Sequence, residues 1–237
     1  MRSIVVGPSV CTILLSYNRP KMLLEAVKAT READELIVLD DGSDFDVEKV
    51  IGAELNRFPK VSIKVSKKMT VEERLGTPRL GKSINAAIRE SSCEVITYLC
   101  DDDLFHEDWI NHVRVFFSGS EDHVVRGKWG IFKDWDKPGE DLCPLKPDVD
   151  MTTGNFAHLR SCSVDHGMFW SEVVTAVHDS WFIRNAMLPR HPLASICKLD
   201  VLAGWRRDHA YNMMNFTNGA ACYTGGAAAA LSRKTLE

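Results

Sequence analysis

Between Val10 and Phe117 the chain alternates short apolar, β-rich runs with stretches of helical periodicity, and this alternation constrains the fold more than any other feature. Residues 10–16 predict a strand. Asn18-Arg19-Pro20 then opens a helix with Leu23, Leu24 and Val27 on one face, Pro20 being at home in a first turn. Residues 35–39 predict a second strand, stopped by Asp40-Asp41-Gly42-Ser43, and Val47, Val50, Ile51 and Leu55 mark a second helix. A strand over 61–65, a helix over 80–89, a strand over 95–100 and a helix over 108–117 complete the series. Right-handed β-α-β connections place such strands in a parallel sheet covered by helices on both faces. All four strands then end at one edge, where open α/β sheets bind ligands.

Three of those ends are polar: Ser16-Tyr17-Asn18-Arg19, Asp40-Asp41-Gly42-Ser43 and Asp101-Asp102-Asp103. The last is the most telling, because a buried strand normally ends in a turn rather than in three like charges. Packed carboxylates repel one another unless a cation neutralises them, and hard divalent cations with phosphate ligands take such oxygen sites. The competing interpretation is a solvated acidic turn capping the helix that begins near Glu107. Asp40 to Ser43 equally reads as a turn and helix cap.

At 237 residues with a net charge of -4, the chain can bury a substantial core and carries no polybasic surface. That makes nucleic acid or an anionic membrane a weaker prior. Its seven cysteines are scattered, without a C-x-x-C, a pattern that fits a reducing, cytoplasmic setting better than a disulfide framework. No signal peptide is visible, and no apolar run approaches the ~20 residues a membrane-spanning helix needs.

After about residue 118 the alternation breaks down. Residues 123–170 read as β segments and loops, with Pro138, Pro144 and Pro147 marking a long irregular connection. Helical segments are expected at 172–177 and at roughly 204–216, and the Gly/Ala-rich tail reads as a frayed helix or mobile end. The expected organisation is one domain over 1–237, with one half that carries the ligand-binding sheet edge (1–117) and a second half (118–237).

The three loops together resemble glycosyltransferase family 2, whose members have the GT-A fold, an α/β fold with a mostly parallel central sheet and helices on both faces. The family's opening strand and Thr/Ser-Tyr-Asn loop are similar to residues 11–20, its Asp-Asp-Gly/Asn-Ser turn to Asp40–Ser43, and its metal motif to residues 95–103. The likeness is nearest to the small spore-coat-polysaccharide type, through Val71-Glu72-Glu73-Arg74, Arg79 and Ile84-Asn85-Ala86-Ala87-Ile88, with Asp165-His166 further on. The resemblance implies a metal-dependent, inverting transferase that moves one sugar from a nucleotide-sugar to an acceptor hydroxyl. Ser16, Tyr17, Asn18, Arg19, Asp41, Arg74, Arg79, Asp101 and Asp102 would hold the nucleotide-sugar. Tyr17 would lie against the base, and Asp41 would accept from the uracil imide. Arg74 and Arg79 offer planar forks suited to phosphate or ribose. Asp102 and Asp103 would bind Mn²⁺ or Mg²⁺. Asp208 would be the base, with Asp165 as second candidate; its neighbour Arg207 departs from the usual Glu-Asp or Gly-Asp.

UDP-sugar is the expected donor, with dTDP- or GDP-sugars as alternatives. The acceptor is open: a glycan, a lipid-linked sugar, a small molecule, a protein side chain or a modified nucleic-acid base. Processive members carry Gln-x-x-Arg-Trp, and this chain contains no glutamine, so transfer of a single sugar is expected. Two rival functions stand beside this one. Gly76 to Ser83 matches G-x-x-x-x-G-K-[ST], the P-loop of an NTPase, although the residues before Gly76 are polar and helix-prone rather than a buried strand. A GT-A domain that binds a nucleotide-sugar without transferring it is the other. Trp129, Trp135, Trp170, Trp181 and Trp205 are expected mostly in the core, one or two of them lining a sugar cleft, and His106 as a capping or surface residue.

Overall fold

The computed structural model describes residues 7–70, 73, 77–133, 153–173, 182–191 and 196–208. Strands β1 (Val10–Ser16), β2 (Glu35–Asp40), β3 (Lys60–Val65) and β4 (Val95–Cys100) are joined by helices α1 (Pro20–Ala29), α2 (Val47–Leu55) and α3 (Leu80–Glu90), and α4 (Trp109–Gly119) follows. These elements coincide with the expected ones to within two residues at their ends. Pro20 begins α1, and the Asp46 carboxylate caps α2 by accepting the Lys49 N–H at 3.1 Å. The β1, β2, β3 and β4 pairings are all parallel, with Leu15 opposite both Leu39 and Cys100. Their C-terminal ends therefore meet at one edge.

Both faces of this sheet are buried. Leu14, Leu36, Val38 and Leu99 pack under α1, α2 and α4 with Leu23, Ile51 and Trp109; Ile13, Ile37, Leu39 and Tyr98 pack under α3 with Ile84 and Ile88. Successive residues go to opposite cores, which is why these strands are continuously apolar.

Four further strands extend the sheet: β5 (Asp103–Phe105), β6 (Val124–Lys133), β7 (Phe156–Leu159) and β8 (Cys197–Asp208). Among the described residues the order is β3-β2-β1-β4-β7-β6-β8-β5. One sheet thus runs through both halves of the chain. β7 is antiparallel to β4, and β5 is antiparallel to β8. Two short helices complete the described elements, α5 (Arg160–Val164) and a π-helix over Phe182–Met187.

The helix expected from Gly204 is corrected: residues 204–208 are the end of β8, and 209–216 lie outside the described residues. A Cβ on Gly204 would stand 2.2 Å from the Leu104 carbonyl oxygen, so this glycine permits close strand approach rather than starting a helix. Glu172 and Val173, the described part of the other expected helix, are not helical, and the tail lies outside the described residues.

Under α3 lies an aromatic layer of Tyr98, Phe156, Trp170 and Phe182, with Trp170 and Phe182 stacked at 4.4 Å. His158 is fully buried beside it. Its Nδ1–H donates to the Leu159 carbonyl at 2.8 Å, which leaves Nε2 to accept the Tyr98 hydroxyl at 2.7 Å. Burial pushes the His158 imidazole down to about 4, so the folded state holds it neutral where the unfolded chain, near 6.5, would take a proton. Its contribution is therefore complete above pH 6.5 and is lost as pH falls toward 4, a change on the order of 3 kcal/mol. Thermal unfolding between pH 7 and 4 should show a steeper loss of stability for the wild type than for His158→Asn. Parallel curves would remove His158 from this role.

Candidate active site

The loop after β2 is organised from inside. The buried Asp40 carboxylate accepts the Gly42 N–H at 3.1 Å, the Ser43 N–H at 2.8 Å and the Ser43 hydroxyl at 2.5 Å. Gly42 has φ +80°, and a Cβ there would stand 2.9 Å from the Lys67 carbonyl oxygen, so the turn needs glycine. With Asp40 turned inward, Asp41 is presented at the sheet edge. Its carboxylate takes a two-point fork from Arg79, Nε to Oδ1 and Nη2 to Oδ2, each at 2.5 Å. Arg79 immediately precedes α3, so the ion pair joins the β2 end to that helix. Arg74 lies outside the described residues.

The loop after β1 is fixed to the same turn. Asn18 takes the left-handed conformation at φ +52°, which asparagine tolerates better than most residues. Its N–H donates to the Ser43 hydroxyl at 2.8 Å, its side-chain NH₂ to Asp44 at 3.1 Å, and its Oδ1 accepts the Asp44 N–H at 2.7 Å. Asn18, expected to touch the nucleotide, thus acts as a strut between two loops.

The acidic loop after β4 is the third component. Asp101 is 2% exposed; its Oδ2 accepts the Tyr17 N–H at 2.8 Å, and its Oδ1 accepts Arg19 Nη1 at 2.6 Å. The same Arg19 nitrogen lies 2.9 Å from Asp102 Oδ2. Burial raises the Asp101 carboxyl above the usual carboxylate range, the Arg19 guanidinium opposes this, and the Asp102 charge adds to it. The structure therefore separates the three aspartates by role. Asp101 holds the β1 and β4 ends together with Tyr17 and Arg19, whereas Asp102 and Asp103 lie with Cys100 in one group whose ligand atoms are all within 4.8 Å. Two carboxylates and a thiol are a chemically reasonable donor set for a divalent cation. Ser16, also expected at the nucleotide, is buried at the end of β1.

β8 carries Asp208 toward this group. Arg206 is the register partner of Asp103, and Asp208 lies two residues beyond it, a rise of about 7 Å along a strand. Asp165 and His166 are exposed. They follow α5, whose first residue, Arg160, bonds through its N–H to the Glu94 carbonyl at the opposite sheet edge. His106 accepts the Asp108 N–H at 3.2 Å and packs on Trp205 at 5.4 Å, as the capping role anticipates. Trp129 and Trp170 are core residues and Trp205 is half-buried; Trp135 and Trp181 lie outside the described residues.

The P-loop match has a packing explanation. A Cβ on Gly81 would stand 1.8 Å from the Ser171 carbonyl oxygen, so this glycine lets α3 touch the 168–172 segment. Asn85 fixes the same contact by accepting the Trp170 N–H at 2.9 Å and donating to its carbonyl at 2.9 Å. Lys82 is exposed, and β3, the preceding strand, ends at Val65 and is followed by irregular chain over 66–70. A P-loop needs its strand immediately before the first glycine.

The turn expected over Asp40 to Ser43 is present, with the Asp40 carboxylate as its acceptor. One contributor, Cys100, was missed in the sequence, where its one signal is its place at the end of a strand, two residues before Asp102. Asp40→Ala would strip three donors of their acceptor inside a buried turn. It should cost about 2–4 kcal/mol and raise amide exchange at Gly42 and Ser43 more than in β3. Unchanged exchange there would mean that the turn is held by other contacts.

Residues 11–171 match Glycosyl transferase family 2. Protein CgeD of Bacillus subtilis is 30% identical over 171 residues, which are 68% of this chain and 38% of that protein. The chain thus spans well under half the length of that relative. A 1–349 portion of S. aureus TarS in complex with UDP-GlcNAc superposes with a TM-score of 0.65 at 16% identity, over 87% of this chain and 60% of that one. Glucosyl-3-phosphoglycerate synthase from Mycobacterium tuberculosis, in complex with Mn²⁺, UDP-glucose and phosphoglyceric acid, gives 0.59 at 15% identity, over 89% and 75%. No helix among the described residues is long and apolar enough to cross a membrane. With three polar loops gathered at the edge of a GT-A sheet and the family's sequence pattern over most of its length, the chain belongs to glycosyltransferase family 2.

Proposed function

We propose that this protein is an inverting transferase that moves one sugar from a UDP-sugar to an acceptor hydroxyl, using a divalent cation. The observation that carries this reading is the convergence of Asp41–Arg79, Tyr17–Asp101–Arg19 and Asp102–Asp103 on one sheet edge, drawn from the ends of β1, β2 and β4. The TarS and glucosyl-3-phosphoglycerate synthase structures, which contain UDP-GlcNAc and UDP-glucose, support the choice of uridine.

The residues divide the work by their chemistry. Asp41 accepts from the uracil imide, Arg79 moves from its fork with Asp41 to the ribose or phosphate, and the Tyr17 ring lies along the base. Asp101 keeps the first loop in register through the Tyr17 N–H, so that base and diphosphate are held at a fixed separation. Asp102 and Asp103 would hold Mn²⁺ or Mg²⁺, which neutralises charge on the departing diphosphate. Asp208, delivered to the same edge by β8, accepts the proton of the acceptor hydroxyl as that oxygen attacks the anomeric carbon. Attack from the face opposite the leaving group inverts that carbon.

Calorimetric titration with UDP, dTDP, GDP and ATP, each with Mn²⁺ and with EDTA, tests the donor site. Metal-dependent UDP binding that Asp102→Ala weakens at least about tenfold is expected, with ATP ignored and Lys82→Ala without effect. Tight Mg²⁺-supported ATP binding lost in Lys82→Ala would overturn the reading. Asp208→Asn should abolish transfer and UDP-sugar hydrolysis while UDP binding persists. Transfer retained by this variant would exclude Asp208 as the base. A wild type that binds UDP-sugar yet consumes none of it with a broad set of acceptors would instead be a binding module.

A further inference from the structure

The donor group at the acidic edge contains a sulfur that the carboxylate description omits. The Sγ of Cys100 and one carboxylate oxygen each of Asp102 and Asp103 lie within 4.8 Å of one another. Two atoms bonded to one ion are separated by no more than the sum of their bond lengths, about 4.4 Å for one oxygen and one sulfur ligand. The three atoms are therefore within a small side-chain adjustment of sharing one ion.

The backbone explains the placement. Cys100 is the last residue of β4, opposite Leu15, and the next residue, Asp101, has its N–H bonded to the Leu15 carbonyl at 2.8 Å. β4 ends here: Asp101 and Asp102 form a turn into β5, in which the Asp101 side chain goes to Tyr17 and Arg19 while the ligand atoms of Cys100, Asp102 and Asp103 stay within 4.8 Å of one another. The side chains of β4 from Val95 to Leu99 are buried, whereas Cys100 is half-buried and not in a disulfide. Cys11, Cys93 and Cys162, in contrast, are buried, and burial pushes their thiols up. Cys100 is the described cysteine that stands at the site.

We infer that Cys100 is a third protein ligand of the cation held by Asp102 and Asp103, and that its thiolate shifts the metal preference of the site from Mg²⁺ toward softer ions such as Co²⁺ and Zn²⁺. This rests on the donor-site reading above, and goes beyond it in assigning the ligand and the selectivity. Mg²⁺ demands oxygen ligands and gains little from sulfur, whereas Co²⁺ and Zn²⁺ bind thiolate strongly. A mixed oxygen–sulfur set therefore discriminates between ions that a purely carboxylate pair would separate less.

Co²⁺ is the probe, because a thiolate bound to it gives a near-ultraviolet charge-transfer band that carboxylates do not. The full chain is titrated with Co²⁺, with and without UDP, alongside Cys100→Ser and Asp102→Asn, with thermal unfolding of each variant as a folding control. The expected result is a charge-transfer band in the wild type that Cys100→Ser abolishes. Cys100→Ser should also weaken Co²⁺ binding at least about tenfold and leave Mg²⁺ binding nearly unchanged, so that the Co²⁺/Mg²⁺ preference falls by the same factor. Co²⁺ bound without the band, or a band that survives Cys100→Ser, overturns the role of Cys100 and leaves the carboxylate site standing. No Co²⁺ uptake in either condition overturns this inference and the metal-dependent donor site together.

Discussion

A buried carboxylate placed among other carboxylates must find partners inside the protein, and Asp101 finds Arg19. A guanidinium and a backbone N–H face its two oxygens, yet they offset only part of the cost of taking the charge out of water, and the carboxyl is pushed up to about 8. That requirement places Tyr17 and Arg19, and with them the whole loop after β1, against the end of β4. The same guanidinium reaches Asp102, so one cation relieves part of the repulsion at the acidic edge. The geometry of the site follows from this local neutralisation more than from any property of the loops taken separately.

The second loop is built by the same logic with different partners. Asp40 satisfies buried donors within its own turn, and Asn18 ties that turn to the first loop with bonds to Ser43 and Asp44. Three strand ends that are adjacent in the sheet are thereby cross-linked by polar contacts at their tips. A parallel sheet brings these ends together whatever their sequence; the cross-links decide which carboxylates point inward and which face a ligand. Asp40 and Asp101 are structural in this sense, while Asp41, Asp102 and Asp103 carry the chemistry of the proposed donor site.

The first half of the fold was legible because its strands and helices differ in period and are separated by recognisable caps and turns. Pro20 starts α1 and Asp46 caps α2 as local chemistry dictates. The second half was harder to read, since its pairings are non-local and mix a long parallel pair, β6 with β8, with short antiparallel ones. β5 has three residues and makes sense only beside β8. The misreading of Gly204 as part of a helix shows the cost of ignoring period two: Cys197, Leu199, Val201 and Ala203 alternate, and all four belong to one core cluster. The P-loop likeness failed for a related reason. A short motif records residue types, whereas Gly81 is there because the Ser171 backbone passes against α3.

By itself the sequence determined the parallel β-α-β framework, the family and the identity of the polar loops, because each is encoded within a few consecutive residues. Only the tertiary structure decided how the like residues divide: Asp101 inward to Arg19, Asp102 and Asp103 together with Cys100, Asn18 as a strut and Asp41 forked to Arg79. It also decided that Asp208 ends a strand whose partner carries Asp103. The physical reason is that a carboxylate's role is set by what lies within about 3 Å of its oxygens. For Asp41, Asp101 and Asn18 those neighbours come from parts of the chain that are far apart in sequence.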